Sequence, residues 1–435
     1  MKILLVNPPN SGRSIPEERY GLDTLKQIFR GEPLGLEVLA SHLTMHEVSI
    51  LDLKAAPNDF TSTMESFQPD IVAFTAMTCE ANKVIQLATE VKQSSNSITI
   101  VGGIHASNDP NFFNHPMIDY VVIGLGQKAL SDLVAAIEVN QLNKISAVTI
   151  PGVASTQPGA TLTWTPRQFH TENYAAQPVP SYELTAAYRD SYFLPKLKVN
   201  MGYVVTAYGC PYNCSFCSIS GQAGGKYICQ PINNVVRDLQ ALPDAPFVRL
   251  VDANTFGSID HARQLCQAIK DAGIQKNYLV DVRADTVVKH PEVIEQWQQI
   301  GLRSVVIGCE EISDKRLTAM NKQGNSSING EALAILHQLG ITVVGDFIVD
   351  PDYSERDFDL LEEYILNHKI DLPMLTIMTP LPGTALYRQM SNKINEFNLD
   401  YYTLTNAVST TRLSEQRFYR RYADLMQSCH HQAKI

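Results

Sequence analysis

Apolar residues recur along the chain in two alternating rhythms. Short continuous runs at Lys2–Val6, Val48–Leu53, Ile71–Phe74, Ile98–Val101 and Tyr120–Ile123 read as buried strands. Between them, Leu34–Leu43 and the stretches 60–67, 80–93 and 127–138 repeat apolar positions at helical spacing. Apolar strands separated by helices predict a parallel sheet covered on both faces. Residues 1–140 are therefore expected to form a doubly wound, Rossmann-like α/β domain, with its ligand beyond the carboxyl ends of the strands.

The same rhythm resumes over residues 201–390. Candidate strands are Tyr203–Tyr208, Phe247–Asp252, Asn277–Arg283, Arg303–Gly308, Thr342–Val349 and Met374–Thr379. Candidate helices between them are Asn233–Ala241, His261–Ala272, Pro291–Ile300, Gly330–Leu339 and Asp357–Asn367. Each unit takes about 32 residues, the size of a βα repeat. Six units are too few to close an eight-stranded barrel, so a partial (β/α)6 barrel, open at one side, is expected. Residues 141–200 hold Pro151, Pro158, Pro166, Pro178 and Pro180 with Trp164, Phe169, Tyr174, Tyr182 and Tyr188, and read as a linker that packs between domains. Residues 391–435 form a short helical tail. In it, Arg417, Arg420 and Arg421 read as a solvated helix face, or alternatively as a lid for an anionic substrate.

Composition narrows the function. With 35 Lys+Arg against 45 Asp+Glu, the net charge of −10 argues against a nucleic-acid partner. No run of about 18 apolar residues occurs, so no membrane span is expected. The start, MKILLVNPPN, does not read as a secretory signal, and a reducing cytoplasm is the expected compartment.

Small and polar residues follow the predicted strands of the first domain. They are Asn7-Pro8-Pro9, Thr75-Ala76-Met77-Thr78, Gly102-Gly103-Ile104-His105 and Gly124-Leu125-Gly126. Glycine there lets a ligand approach the backbone, but glycine also simply ends strands.

Eight cysteines are too few for a disulfide scaffold. Three of them, Cys210, Cys214 and Cys217, form C-x3-C-x2-C just after the first barrel strand, where a loop reaches the active-site face. Three thiolates suit an iron–sulfur cluster that leaves one iron open for chemistry. A zinc site is the alternative, with Cys229 as the best fourth ligand. The other five, Cys79, Cys229, Cys266, Cys309 and Cys429, are expected to pack as small hydrophobes.

This motif, with an aromatic before its last cysteine, resembles the radical S-adenosylmethionine superfamily. The resemblance implies a 4Fe-4S cluster on Cys210, Cys214 and Cys217, with S-adenosylmethionine chelating the open iron and cleaved to a 5′-deoxyadenosyl radical. It also implies that Phe216 packs over the adenine. Further matches are Asp252, Asn254 and Phe256 after the second strand, Arg283 after the third, Gly308-Cys309-Glu310 with Asn321-Lys322, and Pro380-Leu381-Pro382-Gly383-Thr384. Asp252, Asn254, Arg283, Glu310 and Pro382 are thereby implied as S-adenosylmethionine contacts. Arg283 and Glu310 are equally readable as structural ion pairs. Asp350 departs from the pattern, since many relatives carry Gly there.

An α/β domain ahead of such a barrel resembles the cobalamin-binding subfamily, which includes methylases and the anaerobic porphyrin-ester cyclase. Asn7-Pro8-Pro9, Glu32-Pro33-Leu34-Gly35-Leu36, Gly102-Gly103-Ile104-His105 and Asp119–Gly124 carry that resemblance. It implies cobalamin contacts from Asn7, Thr75, Gly102, Gly103, His105, Gly124 and Gly126. The Asp-x-His-x-x-Gly element is absent after the first strand, so cobalamin is expected to bind without a histidine from it. The implied activity is methylation of an unactivated carbon on a small-molecule or lipid substrate, a hopanoid being one example. The implied electron donor is a reduced flavodoxin or ferredoxin. Radical cyclisation, oxidation or rearrangement without methyl transfer is the enzymatic alternative. A zinc or nucleotide-binding module is the non-enzymatic one. A methylthiotransferase is disfavoured, because only Cys79 lies in the first domain and the tail is short for an RNA-binding domain.

Overall fold

A computed structural model describes residues 1–24, 31–140, 149–174, 176–194, 199–431 and 433. They form two compact units, neither of them one continuous stretch. The first comprises Met1–Gly12, Arg30–Phe193 and Ser218–Lys226. The second comprises Arg13–Phe29, Leu194–Cys217 and Tyr227–Ile435.

The first unit is built on β1 (Lys2–Asn7), β2 (Glu47–Asp52), β3 (Ile71–Thr75), β4 (Ile98–Gly102), β5 (Tyr120–Val122) and β6 (Val153–Ser155). Their order is β2-β1-β3-β4-β5-β6. The first five run parallel, as the apolar runs predict. Ile3 to Val6 and Ile71 to Phe74 are buried on both faces of the sheet. The helix Gly126–Val139 covers one face through Ala129, Leu130, Leu133, Val134 and Ile137, an apolar stripe at helical spacing. Strand β6 departs from the expectation: it pairs antiparallel with β5, Tyr120 opposite Ser155. Three residues carry no readable period, so only the pairing reveals this strand. The predicted linker, residues 141–200, falls partly on 141–148, 175 and 195–198, which lie outside the described residues. Its described part belongs to the first unit and buries Phe169, Tyr174, Tyr182 and Tyr192.

The short strand β7 (Phe193–Leu194) spans the boundary, and the second unit contains β8 (Val199–Val204), β9 (Ala207–Gly209), β10 (Tyr227–Cys229), β11 (Phe247–Leu250), β12 (Asn277–Val282), β13 (Leu302–Glu310), β14 (Thr342–Val349) and β15 (Leu372–Ile377). The sheet runs β15-β14-β13-β12-β11-β8-β7, and β8 through β15 pair in parallel. This is the curled sheet of a partial barrel, wrapped by helices. Its first parallel strand lies earlier than the predicted Tyr203–Tyr208. Thr206 and Ala207 turn their amides to Asp252 at 2.7 and 2.9 Å, which stops the ladder. Ala207–Gly209 then pairs antiparallel with β10.

Alternation along these strands separates two faces. Val248, Leu250, Val280, Val305, Ile307, Val343, Phe347 and Leu375 are fully buried. Arg249, Asp281, Val306, Gly308, Asp346, Met374 and Thr376 occupy the alternate, half-buried face. The tail helix Glu415–His431 buries Phe418, Tyr419, Tyr422, Leu425 and Met426. Arg417 and Arg421 pair with Glu355 and Asp359, at 2.5 and 2.7 Å, and Arg420 is exposed, so this is a surface helix face. Among the described residues, no helix is long and apolar enough to cross a membrane.

Candidate functional site

The cysteine loop is held by backbone bonds from three later elements. The Ser215 amide donates to the Met320 carbonyl at 2.9 Å, and the Leu386 amide donates to the Ser215 carbonyl at 2.8 Å. Asn321, in a left-handed backbone at φ +52°, donates its carboxamide to the Asn213 carbonyl at 3.0 Å. Pro382 and Gly383 turn the chain so that Thr384 caps the helix Ala385–Gln389, which carries Leu386. Phe216 packs against Met320, Ile348, Met378 and Leu386. All three thiols are half-buried, and none is in a disulfide. Burial raises the Cys214 thiol pKa, and the cations of Lys322 and Arg283 pull it back down.

These features fit a cluster better than a single ion. Among the described residues no three His, Cys, Asp or Glu side chains converge as one metal ion requires. A four-iron cluster asks less convergence, because each thiolate bonds a different iron. Cys229, the zinc candidate, shares a hydrogen bond with Ser258.

Charged side chains gather beside the loop. Glu310 stands at a register shift near the end of β13, with φ +62°. Its Oε1 accepts from Lys322 Nζ at 2.7 Å. A Cβ on Gly308 would stand 2.9 Å from that Nζ, so only glycine lets the pair cross there. Burial opposes the Lys322 charge, but the Glu310 carboxylate outweighs it and the ammonium pKa ends raised. Arg283 lies 3.7 Å above the Tyr212 ring and donates from Nε to Asp285 at 2.8 Å and from one Nη to the Gln323 carbonyl. Two of its donors are thus spent within the protein, which leaves less than a full fork for a ligand carboxylate.

Asp252 and Asn254 have different fates. Asp252 is buried and gives Oδ1 to the Thr206 and Ala207 amides and Oδ2 to the Thr206 hydroxyl at 2.6 Å. Burial raises its pKa to about 6 despite those bonds. It shapes the entry to the cysteine loop. Asn254 is 1% exposed, and neither carboxamide atom has a partner. A buried, unpaired amide is the kind of group a polar ligand satisfies.

Sequence reasoning missed the interior charges below this edge. Arg249 pairs with Asp281 at 3.1 Å. Asp346 carries no hydrogen bond or ion pair among the described residues; burial, Glu310 and Asp281 push its pKa well up. Their signal was a charge on a strand that otherwise reads as apolar.

In the first unit the expected cobalamin residues divide. Thr75, Gly102, Gly103 and Gly124 lie together at the ends of β3, β4 and β5. Gly103, at φ +96°, has Thr75 Oγ1 only 2.7 Å from a would-be Cβ. Gly124, at φ +87°, has the Phe169 ring at 2.9 Å and the Gln222 carbonyl at 3.1 Å. Both glycines are therefore required by the protein's own packing. Gly126 opens the helix Gly126–Val139. Met77, on the loop after β3, is one of the few large apolar side chains left exposed. Asn7 is turned to Asp52, donating at 2.8 Å. His105 stands behind the edge: it is 1% exposed, 3.3 Å from the Thr78 hydroxyl through Nδ1, and edge-on to Phe112 and Phe113. Burial lowers its pKa to about 4, so it is neutral.

Residues 26–134 match the B12 binding domain and residues 204–365 match the Radical SAM superfamily. Over 404 residues the chain is 29% identical to the hopanoid C-3 methylase of Methylococcus capsulatus, covering 91% of this chain and 75% of that protein. It is 28% identical over 425 residues to an uncharacterized methyltransferase of Pyrococcus horikoshii, covering 94% and 87%. Its fold is that of TsrM, a radical S-adenosylmethionine methyltransferase of Kitasatospora setae solved with cobalamin and a 4Fe-4S cluster. The TM-score is 0.72 at 18% identity, over 90% of this chain and 78% of that one.

Proposed function

We propose that this chain, which joins a B12 binding domain to a domain of the radical S-adenosylmethionine superfamily, methylates an unactivated carbon of a small-molecule or lipid substrate. One observation carries the reading: the thiols of Cys210, Cys214 and Cys217 share a strand-end edge with Glu310, Lys322, Arg283 and the unpaired Asn254. Bound there, a four-iron cluster with S-adenosylmethionine supplies one-electron hydrogen abstraction, while a corrinoid on the other sheet supplies the methyl carrier.

The residues divide the work. The three cysteines hold the iron. Glu310, fixed by Lys322, accepts hydrogen bonds from the cofactor's amino or hydroxyl groups. Arg283 offers its remaining donors to the carboxylate, and Asn254 offers its amide. Phe216, backed by Met320 and Met378, gives the adenine an apolar face and excludes water. Thr75, Gly102, Gly103 and Gly124 form the corrinoid edge, with Met77 as an apolar contact. Packed as it is, His105 supports that edge from behind, so the cobalt takes no ligand from it. A hopanoid-like polycycle is the first substrate to try, and a reduced flavodoxin or ferredoxin the first donor.

The test is anaerobic turnover of the reconstituted chain with S-adenosylmethionine, hydroxocobalamin, reduced flavodoxin as electron donor and a pentacyclic hopene. The expected result is a methylated product, with S-adenosylhomocysteine and 5′-deoxyadenosine in comparable amounts. Formation of 5′-deoxyadenosine with an unmethylated, cyclised or oxidised product would overturn the methylase reading.

A further inference from the structure

Between Cys217 and Ser218 the chain passes from the second unit into the first, and Ser218–Lys226 packs with the first unit. Asn108 fixes the point of arrival. Its Nδ2 donates to the Ser218 carbonyl at 2.9 Å and to the Ile104 carbonyl at 2.8 Å, so both amide hydrogens are used. Gly221 makes room for it: a Cβ at 221 would stand 2.9 Å from Asn108 Cγ and 3.1 Å from Nδ2. Further on, the Gln222 carbonyl backs Gly124, and Lys226 Nζ donates to the Phe169 carbonyl at 3.0 Å.

Asn108 ends the five-residue helix Ile104–Asn108, which starts at Gly103 on the end of β4. That helix also holds the end of β5. The Gly124 amide donates to Ser107 Oγ at 2.9 Å, and Ser107 Oγ donates to the Gly103 carbonyl at 2.8 Å. The loops after β4 and β5 and the residue next to the third cysteine therefore hang on one short rigid element.

We propose that Asn108 is a positioning residue that couples corrinoid occupancy at the ends of β4 and β5 to the conformation of the cysteine loop. The coupling rests on the function proposed above, because it takes the corrinoid to those strand ends and the cluster to Cys217. A ligand that displaces Gly103 or Gly124 moves the helix. The Asn108 carboxamide passes that movement to Ser218, and one peptide bond passes it to Cys217. The link is neutral and made of two directed hydrogen bonds, so it acts by position and not by charge. Coupling of this kind is reciprocal: what the corrinoid does to the loop, an ordered loop does to corrinoid affinity.

The test is hydrogen exchange of the peptide spanning Cys210–Ser218 in the anaerobically reconstituted full chain, with and without hydroxocobalamin. Iron and corrinoid content are measured first. Wild type is expected to slow exchange in this peptide when hydroxocobalamin binds. In Asn108→Ala that corrinoid-dependent difference disappears, while iron content is retained. A purely structural role would raise exchange equally in both states and keep the difference. Gly221→Ala, which retains the carboxamide but displaces it, is expected to reduce the difference and serves if Asn108→Ala fails to fold. A difference as large as wild type in a folded variant, or none in wild type that binds both cofactors, overturns the coupling. Wild type that binds no cluster or no corrinoid instead overturns the functional reading on which it rests.

Discussion

At the strand ends of the first unit, Gly103 and Gly124 adopt left-handed backbone and pack against Thr75, Phe169 and the Gln222 carbonyl. At the strand ends of the second unit, Glu310, Lys322 and Arg283 set charges beside three thiols. Both are carboxyl edges of parallel sheets, where α/β folds place their ligands. The first edge is made of backbone and tight contacts, with its one histidine buried and neutral behind it. Such an edge fixes the shape of what it holds. The second is made of paired charges and an unsatisfied amide, which suit a zwitterionic cofactor. On the proposed function one architecture serves two ligand chemistries, and each edge should fail in its own way.

The largest effect separates them completely. Cys214→Ala is expected to reduce iron–sulfur absorbance and 5′-deoxyadenosine formation to background, while corrinoid retention, read from the visible spectrum, stays at wild type. Parallel loss of corrinoid would show that the two edges are not separate.

Next is a dependence on pH confined to the second unit. The Asp252 pKa is raised from the usual 3.8 to about 6 by burial. The folded state therefore binds its proton more tightly than the unfolded state does. The stabilising contribution is complete below about pH 4 and is lost as pH rises through 6, a change of roughly 3 kcal/mol. Urea unfolding of wild type against Asp252→Asn at pH 4 and pH 7 measures it. The gap between the two should shift in favour of Asn at the higher pH.

Gly103→Ala tests the backbone-built edge. Forcing a side chain into left-handed backbone, against Thr75, should destabilise the first unit by about 2 kcal/mol and release corrinoid, with iron content unchanged. Gly308→Ala is its counterpart at the charged edge. Displacing the Glu310–Lys322 pair should weaken S-adenosylmethionine binding about tenfold, or 1.4 kcal/mol, by equilibrium dialysis, with corrinoid unchanged.

The smallest effect concerns a buried carboxyl pair. Burial, and then Glu32, push the Glu37 pKa up. Its contribution is likewise lost as pH rises, so Glu37→Gln should gain stability relative to wild type between pH 7 and pH 9. Thermal melts of the two at pH 7 and pH 9 check the sign.

Much of this was readable from the chain. The run at Ile71–Phe74 announced a parallel strand because both its faces are apolar, Thr342–Val349 did so apart from Asp346, and the helix at 60–67 appeared where its spacing placed it. The cysteine loop was legible because C-x3-C-x2-C is a local spacing. The first barrel strand was misplaced, since Tyr203–Tyr208 is apolar apart from Thr206 and nothing local says that Asp252 will take the Thr206 amide. Asn7, Asp252 and His105 each looked like ligand groups, yet the structure engages them with Asp52, Thr206 and Thr78.

The sequence by itself determined most of the elements, the parallel arrangement of the main strands and the cysteine loop, because these follow from periodicity and from covalent spacing within a few residues. Only the tertiary structure decided which polar groups stay available. Lys322 meets Glu310 through a register shift in β13, and Asn108 meets Ser218 across 110 positions of chain. Pairings of that kind depend on strand order and crossovers, and no local pattern of residue types encodes them.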